Sequence, residues 1–413
     1  MKSSFYNLYF KYDGEFEVIY NSFTGAIIKI ENEKKSWIEN EQFEEFSVEE
    51  IIALKDHGII IDDDIDEKKI IEMDRISGST SKDSLTYRIL TTTECNAKCF
   101  YCFEEGMDYC KMSMDTAKAV SNFISTRSLG AKKIQIQWFG GEPLMNAEVI
   151  SAITNDVYAF AYRNNIQYDF TMVSNAILFD EMLVEKAKKE WYLRKIQITL
   201  DGEKGEYEKR KRVSDSFDRV IENIRLLANA GIQVSIRLNY DKYNFKSVLG
   251  LIELLSSMKL DNVHMYPYPL FGTYSSESSK NKTGKEELLK LYEVLYKNGL
   301  MPNNRLPFKY RNNQCFATAL NSFVIYPDGK LFKCAEDITK SVGDVWSGVR
   351  LNDAYYKWCS FSIEEKCENC KFLPICQGGC KAGHLGIGKV KCFLQKDVVD
   401  NLVLAFVKHY EME

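Results

Sequence analysis

The chain has 413 residues, 45% of them apolar, with 12 cysteines and a formal net charge of −5. That length predicts two or three domains with ample core, and the negative balance gives no overall attraction for nucleic acid. No apolar run is long enough to span a bilayer. The opening segment Met-Lys-Ser-Ser-Phe-Tyr-Asn lacks the apolar stretch of a secretory signal, so no membrane partner and a cytoplasmic location are expected. In that reducing setting the cysteines read as metal or cluster ligands, not as disulfides.

In chain order, residues 1–80 come first. Short strands are predicted at Leu8–Lys11, Phe16–Tyr20 and Ala26–Ile30, joined by Asp13-Gly14 and Thr24-Gly25 turns, then a helix over Val48–His57 and a strand at Ile59–Ile61. This resembles a small winged-helix module; a packing extension of the next domain is the alternative. Residues 64–84, acidic and then rich in Ser, Thr and Gly, read as a linker.

From 85 to about 300 a strand-then-helix theme repeats. Strands are predicted at Leu85–Thr92, Lys133–Phe139, Tyr168–Ser174, Arg194–Leu200, Gln233–Asn239 and Asn262–Pro267. Helices follow at Ser113–Leu129, Ala147–Arg163, Asp180–Trp191, Ser216–Ala230, Phe245–Met258 and Lys285–Asn298. Successive β-α units imply an α/β fold with a parallel sheet and right-handed crossovers. Ligands bind such sheets at the carboxyl ends of the strands. The run Cys95-x3-Cys99-x2-Cys102 follows the first strand, at that position. Cubane iron–sulfur clusters normally take four cysteines, and so does a closed structural zinc site. Three thiolates leave one iron open to a small molecule; a three-cysteine zinc knuckle with a distant fourth ligand is the alternative.

This spacing, with Tyr101 and Phe103 beside it, resembles the radical S-adenosylmethionine (SAM) superfamily. The resemblance implies a partial, TIM-like (β/α)6 barrel over 85–300. It also implies a [4Fe–4S] cluster on Cys95, Cys99 and Cys102 that cleaves SAM to a 5′-deoxyadenosyl radical. Gly140-Gly141-Glu142-Pro143, after the second strand, matches the motif that binds the SAM ammonium. Paired glycines also let backbone approach a ligand closely. Ser174 and Asn175, Asp201, and Arg237 with Asn239 end the third, fourth and fifth strands and resemble groups holding the SAM ribose and carboxylate; loop capping is the alternative for each. Tyr207 stands where many relatives have His, with Arg210 following. Tyr266 and Tyr268 could flank the adenine or belong to the core.

Residues 301–413 hold the second cysteine pattern: Cys315, Cys334 in a hairpin-like stretch turning at Pro327-Asp328-Gly329-Lys330, then Cys367-x2-Cys370-x5-Cys376-x3-Cys380 and Cys392. This resembles the SPASM extension, which carries auxiliary iron–sulfur clusters. By that resemblance Cys367, Cys370, Cys376 and Cys392 hold one cluster, and Cys315, Cys334 and Cys380 the other. Zinc sites are the alternative. The second set is one ligand short, so either Cys359 completes it or one iron is open. Its missing upstream cysteine, together with Ala335 where sulfatase-maturing relatives have Asp, argues against sulfatase maturation. Cys110 has no partner by spacing and reads as a buried thiol.

The combined resemblance implies a radical SAM/SPASM maturase of a ribosomally made peptide, with a thioether from a cysteine sulfur as the expected product. The runners-up are a carbon–carbon or carbon–oxygen crosslink, or oxidation of a serine or cysteine in a protein. The implied partners are a precursor peptide whose leader would sit on the 1–80 module, and a low-potential donor, flavodoxin or ferredoxin. A zinc- or cluster-bearing peptide-binding scaffold is the non-enzyme alternative.

Overall fold

The chain folds as two units. The computed structural model describes residues 1–102, 104–270, 285–301, 305–387, 392 and 396–411. The first unit comprises Met1–Thr80, Arg305–Ala319 and Ser360–Glu413; the second comprises Ser81–Asn304 and Leu320–Cys359.

In the first unit, β1 (Lys2–Ser3), β2 (Asn7–Lys11), β3 (Phe16–Asn21) and β4 (Ile27–Glu31) precede α1 (Asn32–Glu39), α2 (Val48–Asp56), β5 (Ile60–Ile61) and α3 (Glu67–Thr80). Strands β2, β3 and β4 form an antiparallel meander, and β1 pairs with β5. Strand alternation sends side chains to both faces. Ile19 joins Ile30, Ile38, Phe43 and Leu54 on one side. Val18 and Tyr20 join Leu8 and Phe10 on the other, against Val399, Val403 and Val407 of the helix Lys396–Glu411. A Ser47–Glu50 capping box starts α2.

The stretch expected to be a linker is largely α3. Its buried residues are Glu67, Ile71, Arg75 and Ser79, one face at four-residue spacing with a single apolar member. Hydrophobic periodicity cannot see such a helix. Polar contacts hold its start instead: the Glu67 carboxylate accepts from Ser4 Oγ at 2.6 Å and from the Phe5 amide at 2.9 Å.

The second unit contains the repeats: β6 (Ser84–Leu90), α4 (Met114–Arg127), β7 (Lys133–Phe139), α5 (Ala147–Arg163), β8 (Gln167–Ser174), α6 (Glu181–Lys189), β9 (Leu193–Leu200), α7 (Lys204–Lys211), α8 (Phe217–Asn229), β10 (Gln233–Tyr240), α9 (Phe245–Ser257), β11 (Val263–Pro269) and α10 (Lys285–Lys297). Strands β6 to β11 pair in sequential order, all parallel. This is the expected α/β partial barrel. Two further strands, β12 (Ser322–Ile325) and β13 (Leu331–Phe332), extend the sheet: β12 runs parallel to β6, and the antiparallel β13 follows a turn with Gly329 at φ +79°. Along β7, Ile134, Ile136 and Trp138 are buried while Gln135, Gln137 and Phe139 stay partly exposed. The glutamines of the partly exposed row are bonded across the sheet: Gln135 accepts from Ser84 and Thr86, and Gln137 accepts from Arg88. Among the described residues no helix is long and apolar enough to cross a membrane.

Candidate functional site

The cysteine loop leaves β6 through Thr91, Thr92 and Thr93 and is closed at its base. The Thr93 amide donates to Cys110 O at 2.9 Å, the Cys110 amide donates to Thr93 Oγ1 at 2.8 Å, and the Met112 amide donates to Thr91 O at 3.0 Å. Cys110 thus closes the loop with its backbone, and its side chain is only partly buried. Within the loop, Cys95, Cys99 and Cys102 are all partly buried, and Cys95 feels the charges of the other two. Burial pushes the Cys95 thiol up to about 12 and the Cys102 thiol up to about 11. Clustered, desolvated thiols become thiolates only when metal replaces their protons. The expected neighbour Phe103 lies outside the described residues.

The second strand end shows what the paired glycines do. A Cβ on Gly140 would lie 2.2 Å from Thr92 O, and one on Gly141 would lie 2.2 Å from Glu94 O. Their absence lets the Gly141 amide donate to Thr92 O at 3.1 Å and the Glu142 amide donate to Glu94 O at 2.8 Å. The close approach expected toward a ligand is therefore made to the backbone that carries Cys95. Glu142 is fully buried. Its carboxylate accepts from Ser174 Oγ at 2.8 Å, the Asn175 amide at 2.8 Å and the Leu144 amide at 3.2 Å, all neutral donors. Burial holds its carboxyl up at about 7. Asn175 Nδ2 then reaches Asn96 Oδ1 at 2.7 Å and Cys95 Sγ at 3.8 Å. The structure thus gathers Cys95, Gly141, Glu142, Ser174 and Asn175.

Asp201, at the fourth strand end, is engaged from below the loop. It accepts from the Tyr101 hydroxyl at 2.6 and 2.8 Å and pairs with Lys211 Nζ at 3.2 Å, while Lys211 Nζ also donates to the Tyr101 hydroxyl at 2.8 Å. The Lys98 amide donates to Lys211 O at 3.0 Å. One residue earlier, Arg210 binds Asp241 through two 2.9 Å contacts and lies 5.3 Å from the Phe100 ring centre. Helix α7 thereby grips both residues between Cys99 and Cys102. Sequence reasoning missed Lys211, because the run Lys209-Arg210-Lys211 looks like a solvated helix face. The only signal was its position just beyond Asp201. Tyr207 is fully buried, and its hydroxyl has no hydrogen-bond partner among the described residues. On the fifth strand Arg237 donates to Asn239 Oδ1 at 3.0 Å and stacks 3.5 Å from the Tyr268 ring centre, and Tyr266 OH donates to Gln197 at 2.7 Å.

In the first unit, Cys367 and Cys370 flank the end of one short helix, Cys376 closes another, and Cys392 is exposed. Cys376 feels the charges of Cys392, Cys370 and Cys367 together, and burial pushes its thiol up to about 11. All four residues expected to share a cluster lie in the first unit. Left-handed Gln377, Gly378 and Gly379 turn the chain toward Cys380. Cys315 and Cys380 belong to the first unit, and Cys334 and the buried Cys359 to the second. Among the described residues no three His, Cys, Asp or Glu side chains are placed to hold a single metal ion. A cubane does not require that convergence, since each iron takes its own thiolate.

The sequence signature of the radical SAM superfamily matches residues 89–264, from the end of β6 to the start of β11. The chain carries a radical SAM domain. Two curated relatives frame it. A probable GTP 3′,8-cyclase of Saccharolobus islandicus (strain M.14.25 / Kamchatka #1) is 27% identical, over 64% of this chain and 88% of its own length. The radical SAM cyclopropyl synthase TigE of Paramaledivibacter caminithermalis is 22% identical, over 97% of this chain and 95% of its own. Among solved structures, native anSMEcpe with bound AdoMet matches at TM-score 0.62 with 15% identity, covering 79% of this chain and 98% of that one. Streptococcus suis SuiB bound to S-adenosylmethionine matches at TM-score 0.52 with 17% identity, covering 92% and 95%. Both neighbours are also solved with peptides, Cp18Cys for anSMEcpe and the precursor SuiA for SuiB. At such identities these likenesses show the fold alone.

The radical SAM domain implies a [4Fe–4S] cluster and SAM, and the residues present fit both. Three partly buried thiols on one clamped loop suit three irons. A buried carboxylate that receives only neutral donors suits an ammonium group, because such a charge is stable only when paired.

Proposed function

We propose that the chain is a radical SAM peptide maturase that builds a crosslink into a ribosomally made precursor, with a cysteine thioether as the favoured product. The observation carrying this reading is that Cys367, Cys370, Cys376 and Cys392 lie in the same compact unit as residues 1–80. A radical SAM domain needs neither to cleave SAM. Auxiliary clusters suit a net oxidation, in which bond formation releases an electron that must be taken up.

The chain's own residues have definable tasks. Cys95, Cys99 and Cys102 would hold the cluster. Glu142, fixed by Ser174 and Asn175, would take the ammonium of the SAM methionine part. Asp201, Lys211 and Tyr101 keep the loop from shifting. Gly140 and Gly141 hold the two strand ends together, and Arg237 with Asn239 stands at the fifth strand end for the ribose or carboxylate. When bound, the cluster and SAM supply one-electron sulfonium cleavage and hydrogen removal from an unactivated C–H bond.

The 1–80 module offers a place for a leader. Strand β4 is an edge of the meander, pairing only with β3 among the described residues. Between it and α2 lies a groove lined by Phe16, Ile30, Phe46, Leu54, Lys34 and His57. An extended peptide can add to such an edge, with alternate side chains in the groove.

The match to a cyclopropyl synthase over 97% of this chain favours a second product, a carbon–carbon bond. Co-expression with a cysteine-bearing precursor decides between them. The thioether reading predicts loss of two hydrogens and of one alkylatable thiol, both abolished by Cys→Ser in the precursor. Loss of two hydrogens with every thiol still alkylatable would exclude the thioether, and fragmentation showing two carbons joined with no new carbonyl or ether would establish the carbon–carbon product.

A further inference from the structure

Tyr6 is fully buried, yet its hydroxyl has no hydrogen-bond partner among the described residues. A buried phenol ordinarily finds an acceptor, and leaving it without one is destabilising. The ring is fixed by Phe5 at 5.1 Å and Phe23 at 6.1 Å between centroids, and by Ile71 and Leu373. Its ionisable neighbours are Glu67, Cys370, Asp66 and Tyr310. Glu67 is occupied by Ser4 and Phe5, Asp66 is exposed, and the Tyr310 hydroxyl is bound to Asp74. Among the described residues that leaves Cys370 as the acceptor without an assigned donor.

The backbone around Cys370 is held by the same module. Lys68 Nζ on α3 donates to Asn369 Oδ1 at 2.7 Å. Lys371 Nζ donates to Asn7 O on β2 at 2.9 Å, and Ser22 Oγ donates to Lys371 O. Both chain neighbours of Cys370 are therefore anchored to residues 1–80. Leu373, whose amide donates to Cys370 O at 2.9 Å, packs on Tyr6.

We propose that the 1–80 module is the seat of the auxiliary cluster on Cys367, Cys370, Cys376 and Cys392, and that the Tyr6 hydroxyl is a positioning donor to sulfur at the Cys370 corner. This rests on the maturase reading, which supplies that cluster, and adds a coupling between the leader-binding module and a redox centre. Hydrogen bonds to cluster sulfurs stabilise the more negative, reduced state and so raise the potential. The module that would receive the leader thereby also sets how readily the cluster takes an electron.

The test uses the full chain, loaded anaerobically with iron and sulfide, in a background where Cys95, Cys99 and Cys102 are alanine so that only auxiliary clusters remain. Cys370→Ala identifies the signal of this cluster by removing about four irons. Tyr6→Phe is expected to keep the iron and to move that signal's midpoint to lower potential. In metal-free protein the same substitution is expected to leave thermal stability unchanged or raised, because it removes an unpartnered hydroxyl. Loading is also expected to slow hydrogen exchange in β2 and α3. An unshifted midpoint in Tyr6→Phe would overturn the donor assignment while the cluster stands. Full iron retention in Cys370→Ala would overturn the cluster, and the proposal with it.

Discussion

The two cysteine-bearing regions solve one problem in different ways. In the barrel, three cysteines share a single loop, closed at its base by Thr93 and Cys110 and gripped through Phe100 and Tyr101 by α7. The sheet supplies rigidity, which in the proposed reading would let the loop stop at three ligands and leave a position for a small molecule. In the first unit, Cys367 and Cys376 lie on short helices and Cys370 and Cys392 outside any helix, and the support for the Cys370 segment comes from side chains of the 1–80 module.

That contrast can be broken at specific residues. The largest effect is expected from Lys211→Met. Lys211 and Asp201 are almost completely excluded from solvent. Removing one member of such a pair costs about 3–5 kcal/mol. Chemical denaturation should show that loss, with iron loading of the barrel loop impaired and the Cys367 set still filled. If loading of both sets falls equally, the two regions are not independently supported.

Glu142 sharpens the comparison through pH. Its carboxyl rises from the ordinary 4.5 to about 7, and that of Glu104 does the same, both through burial. Groups raised on folding stabilise fully below 4.5, and that contribution is lost as pH rises through 7. Metal-free protein should therefore lose stability from about pH 4.5 to pH 7. Glu142→Gln should remove about 3 kcal/mol of that decline, the worth of its shift. An equally steep profile in Glu142→Gln would show that the carboxylate is not desolvated. A smaller effect, about 1–3 kcal/mol, is expected for Gly141→Ala, which overpacks against Glu94 O and must move the loop that carries Cys95. Weakened SAM binding without loss of global stability would localise the damage to that loop.

Most of the barrel was legible because its helices bury apolar stripes and its strands alternate. Lys133–Phe139 and Ala147–Arg163 are observed with the bounds that periodicity predicts. Helix α3 was illegible because its buried face is Glu67, Ile71, Arg75 and Ser79, stabilised by partners distant in sequence. Strand β12 was legible as half of a hairpin but not as a neighbour of β6, since pairing between residues as distant as Thr86 and Ser322 leaves no local mark. At the site, cysteine spacing and Gly-Gly-Glu-Pro were visible. The Tyr101–Asp201–Lys211 network was not, because a buried lysine is indistinguishable in sequence from a surface one. The glycines were recognised for close approach, but the partner, backbone rather than ligand, appears only in three dimensions.

The most direct test of the central claim is 5′-deoxyadenosine formation by anaerobically reconstituted protein given SAM and a strong low-potential reductant. Production by the wild-type chain, with none from the Cys95, Cys99 and Cys102 triple alanine variant, is the predicted result. No turnover by wild-type protein carrying its full iron complement, about twelve per chain for three cubanes, would contradict it.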